Sequence, residues 1–179
     1  MPTNAAKQLH GKTILITGAS SGIGRSCAFE FARTSPQSLR LILTARRVDR
    51  LHEVSQQLKK ELGDSVKVHV VKLDVSKPAE IDQFWRDLPQ EFQEVDVLVN
   101  NAGFMSGYER APEIPMQVVE DVWATNVTGL IHMTQEFLKI AKKRENGEGF
   151  EKGRGDVVML GSIAGREAYA GGSVSVIWR

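Results

Sequence analysis

Short apolar runs alternate with longer segments of helical period along most of this chain, and this alternation limits the folds open to it. Parallel strands that are buried on both faces appear in a sequence as near-continuous apolar runs, and the connections between them are helices. The pattern predicts an α/β fold with a doubly wound parallel sheet and helices on both faces. The predicted strands are Thr13–Thr17, Leu41–Thr44, Val66–Val71, Val95–Val99 and Asp156–Leu160.

The segments between these runs carry helix signals of their own. Apolar residues recur at three- and four-residue steps over Val48–Leu62, which predicts a helix with one buried stripe. Further helices are predicted at Ile23–Arg33, after a glycine-rich turn, and at Pro78–Leu88, with Ser76 as the N-cap. A long helical stretch is predicted over Val118–Lys143.

Composition excludes several classes of function. The 179 residues include 23 Lys and Arg against 22 Asp and Glu, so no broad positive surface is available for nucleic acid or an anionic membrane. The N-terminal stretch is polar, and no run approaches the roughly 20 apolar residues of a membrane span. Cys27 is the single cysteine and cannot form an internal disulfide. We expect a cytoplasmic protein with no nucleic-acid or membrane partner.

The histidines show no metal-ligand spacing. His10, His52, His69 and His132 are scattered through the sequence. A metal site would therefore require unrelated residues to converge in the fold. From the sequence we predict no metal site.

A glycine-rich turn follows the first predicted strand and precedes a helix. Glycines at Gly18, Gly22 and Gly24 permit backbone angles and close approach that side chains would block. The helix N-terminus beyond them offers unpaired N–H groups and positive potential to a phosphate. The alternative is that these glycines only turn the chain. The order of strand, turn and helix favours phosphate binding.

The turn TGASSGIG resembles the TGxxxGxG turn of the short-chain dehydrogenases/reductases. Asn100–Gly103 resembles the NNAG motif of that family, Asn126 in TNVTG resembles its helix asparagine, and Ser162 in GSIAG resembles its catalytic serine. The similarity extends over residues 11–174. It implies a Rossmann-like sheet that is truncated to about five strands, in the spatial order 3-2-1-4-5, with a dinucleotide at its carboxyl edge.

The end of the second strand predicts which dinucleotide is bound. A carboxylate there hydrogen-bonds the ribose hydroxyls of NAD, but the stretch Phe31–Val48 contains no Asp or Glu. Ala45 stands where NAD enzymes of the family often have Asp, and Arg46 and Arg47 follow it. Guanidinium groups suit an added 2′-phosphate, which favours NADP(H). The alternative is that both arginines are solvated residues at the start of the next helix.

The resemblance implies the remaining cofactor contacts. It places Asp74 beside the adenine and Asn100 beside the nicotinamide ribose, although both residue types are also common in turns at strand ends. The predicted cofactor-binding residues are Gly18, Ser20, Ser21, Gly22, Ile23, Gly24, Arg46, Arg47, Asp74, Val75, Asn100, Asn101, Ala102 and Gly103.

The family's catalytic group is incomplete in this sequence. The resemblance implies that Ser162 hydrogen-bonds the substrate oxygen and that Asn126 positions a water in the proton path. Family spacing puts the catalytic tyrosine at Ser175 and the lysine at Arg179, and neither replacement is expected to function. An aliphatic hydroxyl is a far weaker acid than a phenol. Tyr169 is the alternative proton donor, but it falls in the loop after Ser162 rather than on the following helix.

This departure divides the chain into three predicted parts. They are a polar N-terminal extension at 1–10, an incomplete Rossmann domain at 11–174 and a divergent tail at 175–179. We expect a chain truncated before the YxxxK motif, whose fifth strand is left as a sheet edge with uncovered apolar neighbours. The homo-oligomer contact of the family is expected to be lost with the missing part.

Two functional hypotheses follow from the resemblance. The sequence is similar to NADP-dependent 3-hydroxy acid dehydrogenases of the serine and allo-threonine type, which implies hydride transfer with a hydroxy acid or carbonyl substrate. Arg166 would then pair with the substrate carboxylate, the alternative being a surface pair with Glu167. The second hypothesis is a non-catalytic NADP(H)-binding fragment or pseudoenzyme, because the catalytic Tyr and Lys are absent.

Overall fold

The computed structural model describes residues 4–35, 37–106, 109, 113–143 and 155–166. Its core is one parallel sheet of five strands in the order β3-β2-β1-β4-β5. The predicted doubly wound parallel sheet and its strand order are confirmed. The strands are β1 (Thr13–Thr17), β2 (Arg40–Ala45), β3 (Lys67–Lys72), β4 (Val97–Asn100) and β5 (Asp156–Met159).

Helices connect the strands and cover both faces of the sheet. Two of them, α2 and α3, pack on one face, and α4 and α6 pack on the other. The short helix α1 lies within the segment predicted as a polar extension, and its Leu9 packs against the first face. The helices are α1 (Asn4–Leu9), α2 (Gly22–Thr34), α3 (Val48–Leu62), α4 (Pro78–Asp87), α5 (Met116–Trp123) and α6 (Leu130–Lys143).

Two helix predictions require correction. Ser76 is not the N-cap of α4, because Lys77 occupies that position and the Ser76 hydroxyl donates to Asp74 Oδ1 at 2.8 Å instead. The helical stretch predicted over Val118–Lys143 is not continuous. A π-helical segment, Ala124–Gly129, separates α5 from α6. Periodicity alone does not reveal such an interruption, because apolar residues continue on either side of it.

Two separate apolar cores hold the helices to the sheet. Alternate side chains of a strand point to opposite faces, so Ile14 and Ile16 belong to one core and Leu15 belongs to the other. Each of these three side chains is fully buried. The second core also contains Ile81 of α4 and Phe137 of α6, and it therefore fixes those two helices against each other.

Asp96 joins the beginnings of three strands. Its Oδ2 accepts a hydrogen bond from the backbone N–H of Thr13 at 2.8 Å, and its own N–H donates to the Thr13 carbonyl at 2.8 Å. Its carbonyl accepts from the N–H groups of Gly155 and Asp156 at 3.1 and 3.0 Å. Asp96 is 5% exposed, so it fixes the starts of β1, β4 and β5 in a buried setting.

The outermost strand on the β4 side is poorly covered. Val158 and Met159 of β5 are 42% and 58% exposed, whereas the strands at the centre of the sheet are buried. Among the described strands, β5 lies at the edge of the sheet, as predicted. None of the helices in the described part of the chain combines the length and the apolar composition that a bilayer crossing requires.

Replacing Asp96 by alanine is expected to lower the free energy of unfolding by about 1–3 kcal/mol, because the buried N–H of Thr13 loses its side-chain acceptor. Asp96→Asn keeps one oxygen acceptor and is expected to cost less. Urea unfolding of each variant measures the change. Asp87→Ala, at the exposed end of α4, is the control and should stay within about 0.5 kcal/mol of the parent. Equal losses in all three variants would contradict this role for Asp96.

Candidate functional site

A cleft of about 370 Å³ opens beyond the carboxyl ends of β1, β2 and β4. In open parallel sheets, ligands bind outside the carboxyl ends of the strands, where neighbouring connections diverge to opposite faces. All predicted cofactor-binding residues except Gly24 and Asn100 line this cleft. The lining residues are Gly18, Ser20, Ser21, Gly22, Ile23, Ala45, Arg46, Arg47, Leu73, Asp74, Val75, Asn101, Ala102, Gly103, Phe104 and Thr125.

The glycine-rich turn has the backbone conformation expected from its sequence. Gly18 and Gly22 have φ angles of 67° and 56°, in the left-handed region that favours glycine. Helix α2 begins at Gly22, so its first N–H groups lie at the cleft. Gly24 is required for a different reason. A Cβ at this position would lie 2.4 Å from Asn101 Nδ2 and 2.8 Å from the Gly18 carbonyl.

A hydrogen-bond network centred on Thr17 joins the end of β1 to the loop after β4. The Thr17 hydroxyl donates to the Val99 carbonyl at 3.3 Å and accepts from the N–H groups of Asn101 and Ala102 at 3.0 and 2.9 Å. The Asn101 amide donates to the carbonyls of Thr17 and Gly18 at 2.8 and 3.2 Å. Thr17 is 1% exposed. The two loops that form this side of the cleft are therefore held at fixed separation.

Asn100 does not line the cleft. Its side chain is 4% exposed, and its Nδ2 donates to the Thr134 hydroxyl of α6 at 2.8 Å. Thr134 in turn donates to the Leu130 carbonyl at 2.7 Å. In the described structure Asn100 thus ties the end of β4 to α6, and its contact with a ribose stays a prediction.

Two arginines lie at the end of β2, on the side of the cleft opposite Asn101. The Arg47 guanidinium donates to the hydroxyls of Ser20 and Ser21 at 3.2 and 2.8 Å. The Arg46 guanidinium lies 5.8 Å from the centre of the Phe104 ring. Both side chains are exposed, and among the described residues of the cleft Asp74 alone is acidic. This end of the cleft therefore favours an anionic ligand.

Asp74 is engaged in the turn that leads from β3 into α4. Its Oδ1 accepts from the N–H and the hydroxyl of Ser76 at 3.0 and 2.8 Å. Its own N–H donates to Glu80 Oε2 at 2.9 Å. This is the turn role that the sequence left open for Asp74, and the residue also borders the cleft. The two roles are compatible.

Asn126 lies in the π-helical segment and holds the loop that ends the NNAG motif. Its Oδ1 accepts from the Phe104 N–H at 3.0 Å, and its Nδ2 donates to the Phe104 carbonyl at 2.8 Å. A Cβ on Gly103 would lie 3.2 Å from Asn126 Oδ1. Both ends of the amide are thus used to position Phe104, which lines the cleft.

Ser162 lies in the loop after β5 and is exposed. Its hydroxyl accepts from the Ala164 N–H at 3.1 Å and caps a short 3₁₀ turn. Arg166 follows that turn and is also exposed. The structure places neither residue in the lining of the cleft. Tyr169, Ser175 and Arg179, together with Glu167, lie outside the described residues.

Sequence reasoning left four residues that line the cleft out of the predicted cofactor-binding set. Ala45 was used only to choose between the two dinucleotides, and Leu73, Phe104 and Thr125 were not predicted at all. A signal existed for Phe104, because it directly follows the NNAG motif. Thr125 precedes Asn126 inside a segment whose π-helical form is not visible in the sequence. Leu73 resembles any apolar residue at a strand end.

Comparison with known proteins defines the family. A family model described as short chain dehydrogenase matches residues 12–174 of the chain. This chain belongs to the short-chain dehydrogenase family. The match includes every described element of the fold except α1.

Two curated relatives of this chain are named as NADP-dependent 3-hydroxy acid dehydrogenases. An NADP-dependent 3-hydroxy acid dehydrogenase of Schizosaccharomyces pombe is 42% identical over 167 residues, which are 93% of this chain and 60% of that protein. Its namesake in Escherichia coli K12 is 36% identical over 161 residues, which are 90% of this chain and 58% of that protein. The chain therefore spans about 60% of the length of these relatives.

Solved structures agree with the fold of this chain. The crystal structure of serine dehydrogenase from Escherichia coli has a TM-score of 0.75 and 34% identity, with 93% of this chain and 69% of that chain covered. The closed form of a serine dehydrogenase complexed with NADP⁺ has a TM-score of 0.72 and 35% identity, covering 90% of this chain and 58% of that chain.

Thr17→Val is expected to lower the free energy of unfolding by about 2 kcal/mol, because the N–H groups of Asn101 and Ala102 lose their buried acceptor. Thr44 provides a matched control. It is the register partner of Thr17 in β2 and is 1% exposed, but its hydroxyl has no hydrogen-bond partner among the described residues. Thr44→Val should be neutral or stabilising. Equal effects of the two substitutions in urea unfolding would contradict the role given to Thr17.

Proposed function

We propose that the cleft binds NADP(H) and that the protein is an oxidoreductase of the short-chain dehydrogenase type. The reaction is hydride transfer between the nicotinamide and a hydroxyl or carbonyl substrate such as a 3-hydroxy acid. One observation carries the proposal. The Arg47 guanidinium is anchored on Ser20 and Ser21, in the same turn that presents the N-terminus of α2 to the cleft.

The turn supports pyrophosphate binding through its backbone. A helix N-terminus carries unpaired N–H groups and about half a positive charge, which favours a phosphate. Gly18 and Gly22 keep Cβ atoms away from this approach, and Gly24 leaves room for the Asn101 amide. No protein atom described lies within 4 Å of a Cβ built on Gly22, so its φ angle and the space at the cleft account for glycine there.

The arginines support selection of the phosphorylated dinucleotide. The 2′-phosphate of NADP(H) adds a dianionic group that guanidinium donors bind through charge-assisted hydrogen bonds. Arg47 contacts Ser21 of the phosphate turn and precedes α3, and Arg46 lines the cleft near the Phe104 ring. The two relatives are named as NADP-dependent enzymes, which agrees with selection of the phosphorylated dinucleotide.

The proposed catalytic chemistry divides among a few residues. The nicotinamide, when bound, supplies or accepts the hydride. Ser162 would donate a hydrogen bond to the substrate oxygen, and Asn126 acts as a positioning residue by holding Phe104 at the cleft. Arg166, exposed in the loop after Ser162, would pair with the carboxylate of a hydroxy acid.

A second candidate function is a non-catalytic NADP(H)-binding protein. The observation that favours it is the identity of the residues at the family's tyrosine and lysine positions, Ser175 and Arg179. Proton transfer by a positioned acid or base contributes about 10²–10⁴-fold to a rate. A serine hydroxyl cannot replace a phenol in that role at neutral pH.

The proposal extends to location and partners. We propose a cytoplasmic protein whose partner is a small hydroxy acid or carbonyl compound.

Replacing Arg47 by glutamine is expected to weaken NADPH binding about tenfold or more, because a charge-assisted contact to the 2′-phosphate is worth about 1.5–3 kcal/mol. NADH binding should change much less, since NADH lacks that phosphate. Arg50→Gln, on the exposed surface of α3, is the matched control. Titration calorimetry of the parent and the two variants with both dinucleotides measures the ratio of NADPH to NADH affinity for each protein. An equal loss for NADH and NADPH would contradict selection by Arg47.

The two candidate functions are distinguished by turnover of the 179-residue chain. NADPH oxidation in the presence of a 3-oxo acid is followed by absorbance, with NADPH binding measured in parallel. We expect NADPH to bind and any turnover to fall about 10²–10⁴-fold below that of the Schizosaccharomyces pombe relative, because Ser175 stands at the tyrosine position. Turnover that Ser162→Ala abolishes supports the oxidoreductase. Binding without turnover supports the second candidate, and absence of binding contradicts both.

A further inference from the structure

A cluster of three potential metal ligands lies between α4 and α6. Asp82 projects from α4, and His132 and Glu136 project from successive turns of α6. None of the three was singled out as a ligand by the sequence, where Asp82 is far from the other two. Ile81 of α4 and Phe137 of α6 both belong to the second core, which holds their helices in place, so the three groups meet on a rigid support.

The ligand atoms have separations suited to a single ion. His132 Nε2 lies 2.9 Å from Asp82 Oδ1 and 3.8 Å from Glu136 Oε1. All three ligand atoms lie within 4.8 Å of one another. Two ligands of a tetrahedral zinc ion are about 3.3–3.5 Å apart, given bond lengths of about 2.0–2.2 Å. The observed distances bracket that value, so small rotations of the two carboxylates would complete the geometry.

Hydrogen bonding alone does not require this convergence. A single ring nitrogen of His132 can donate one hydrogen bond, and Asp82 is at hydrogen-bond distance from it. Glu136 faces the same nitrogen at a distance too long for a hydrogen bond, and its Oε1 instead forms an ion pair with Lys139. Two carboxylate oxygens within 4 Å of one imidazole nitrogen form a donor set of the kind that transition-metal ions use.

The surroundings permit entry of an ion. The side chains of His132 and Glu136 are 20% and 22% exposed, and that of Asp82 is 45% exposed. His132 also borders a groove of about 270 Å³ between α4 and the α5–α6 segment, and Trp123 lies in the same groove. Partial burial strengthens metal–ligand attraction, while the exposed side of Asp82 leaves a position for water.

We propose that Asp82, His132 and Glu136 bind a divalent transition-metal ion, with Zn²⁺ as the ion to test first. Imidazole together with carboxylates favours zinc and its neighbours over Ca²⁺ and Mg²⁺, which take oxygen ligands only. The bound ion would join α4 to α6 and would displace Lys139 from Glu136. None of the three ligands lines the described cofactor cleft, so the site is separate from the proposed NADP(H) site.

Zn²⁺ titration of the 179-residue chain by calorimetry, in chelator-free buffer without nucleotide, tests the proposal. We expect one ion per chain at micromolar affinity and a rise in melting temperature, because the ion binds the folded state. His132→Gln and Asp82→Asn should each weaken binding about tenfold or more. Lys139→Met should strengthen it by removing the competing cation, an effect that a merely structural ion pair would not produce.

His52→Gln is the matched control, since His52 is exposed on α3 and lies outside the cluster. It should leave the Zn²⁺ affinity unchanged. Far-UV circular dichroism establishes that each variant is folded. Wild-type affinity in both His132→Gln and Asp82→Asn, or no binding at millimolar Zn²⁺, would overturn the proposal. Because no nucleotide is present, either result leaves the proposed NADP(H) function unaffected.

Discussion

The geometry of the cleft depends on the hydrogen bonds of the Thr17 hydroxyl. This hydroxyl joins the end of β1 to the first two N–H groups after β4, and the Asn101 amide returns hydrogen bonds to the carbonyls of Thr17 and Gly18. The phosphate turn and the NNAG loop thus form one hydrogen-bonded unit. Gly24 must be glycine because the Asn101 amide occupies the space where its side chain would be. The glycine-rich turn after β1 and the NNAG loop after β4 therefore depend on each other for their conformation.

Much of the fold could be predicted from the sequence, because buried parallel strands and amphipathic helices leave strong periodic signals. The bounds of Thr13–Thr17 and Val48–Leu62 agree with the structure to the residue. The other predicted elements differ from the structure by one or two residues at an end. The π-helical segment Ala124–Gly129 was not predicted, since its form depends on tertiary contacts such as the approach of Val75 to Gly129.

The candidate site was predictable where residues follow strand ends in order along the chain. Gly18, Arg47 and Asn101 fall in one cleft because all the strands are parallel and their carboxyl ends meet at one edge. The direction of each side chain is harder to predict from the sequence. Asn100 and Asn101 are adjacent asparagines, yet one is directed to α6 and the other to β1, as the alternation along a strand requires. Residues such as Asp82 and His132, which only the tertiary fold brings together, leave no local signal.

The tethering of Arg47 to two serine hydroxyls has a consequence for the thermodynamics of ligand capture. A free arginine side chain loses up to about 2 kcal/mol of rotamer entropy when it is immobilised. In this protein, Ser20 and Ser21 already restrict the guanidinium before any ligand arrives. Much of the ordering cost is therefore met during folding, and an incoming phosphate encounters a preorganised cation whose contribution to affinity is correspondingly larger.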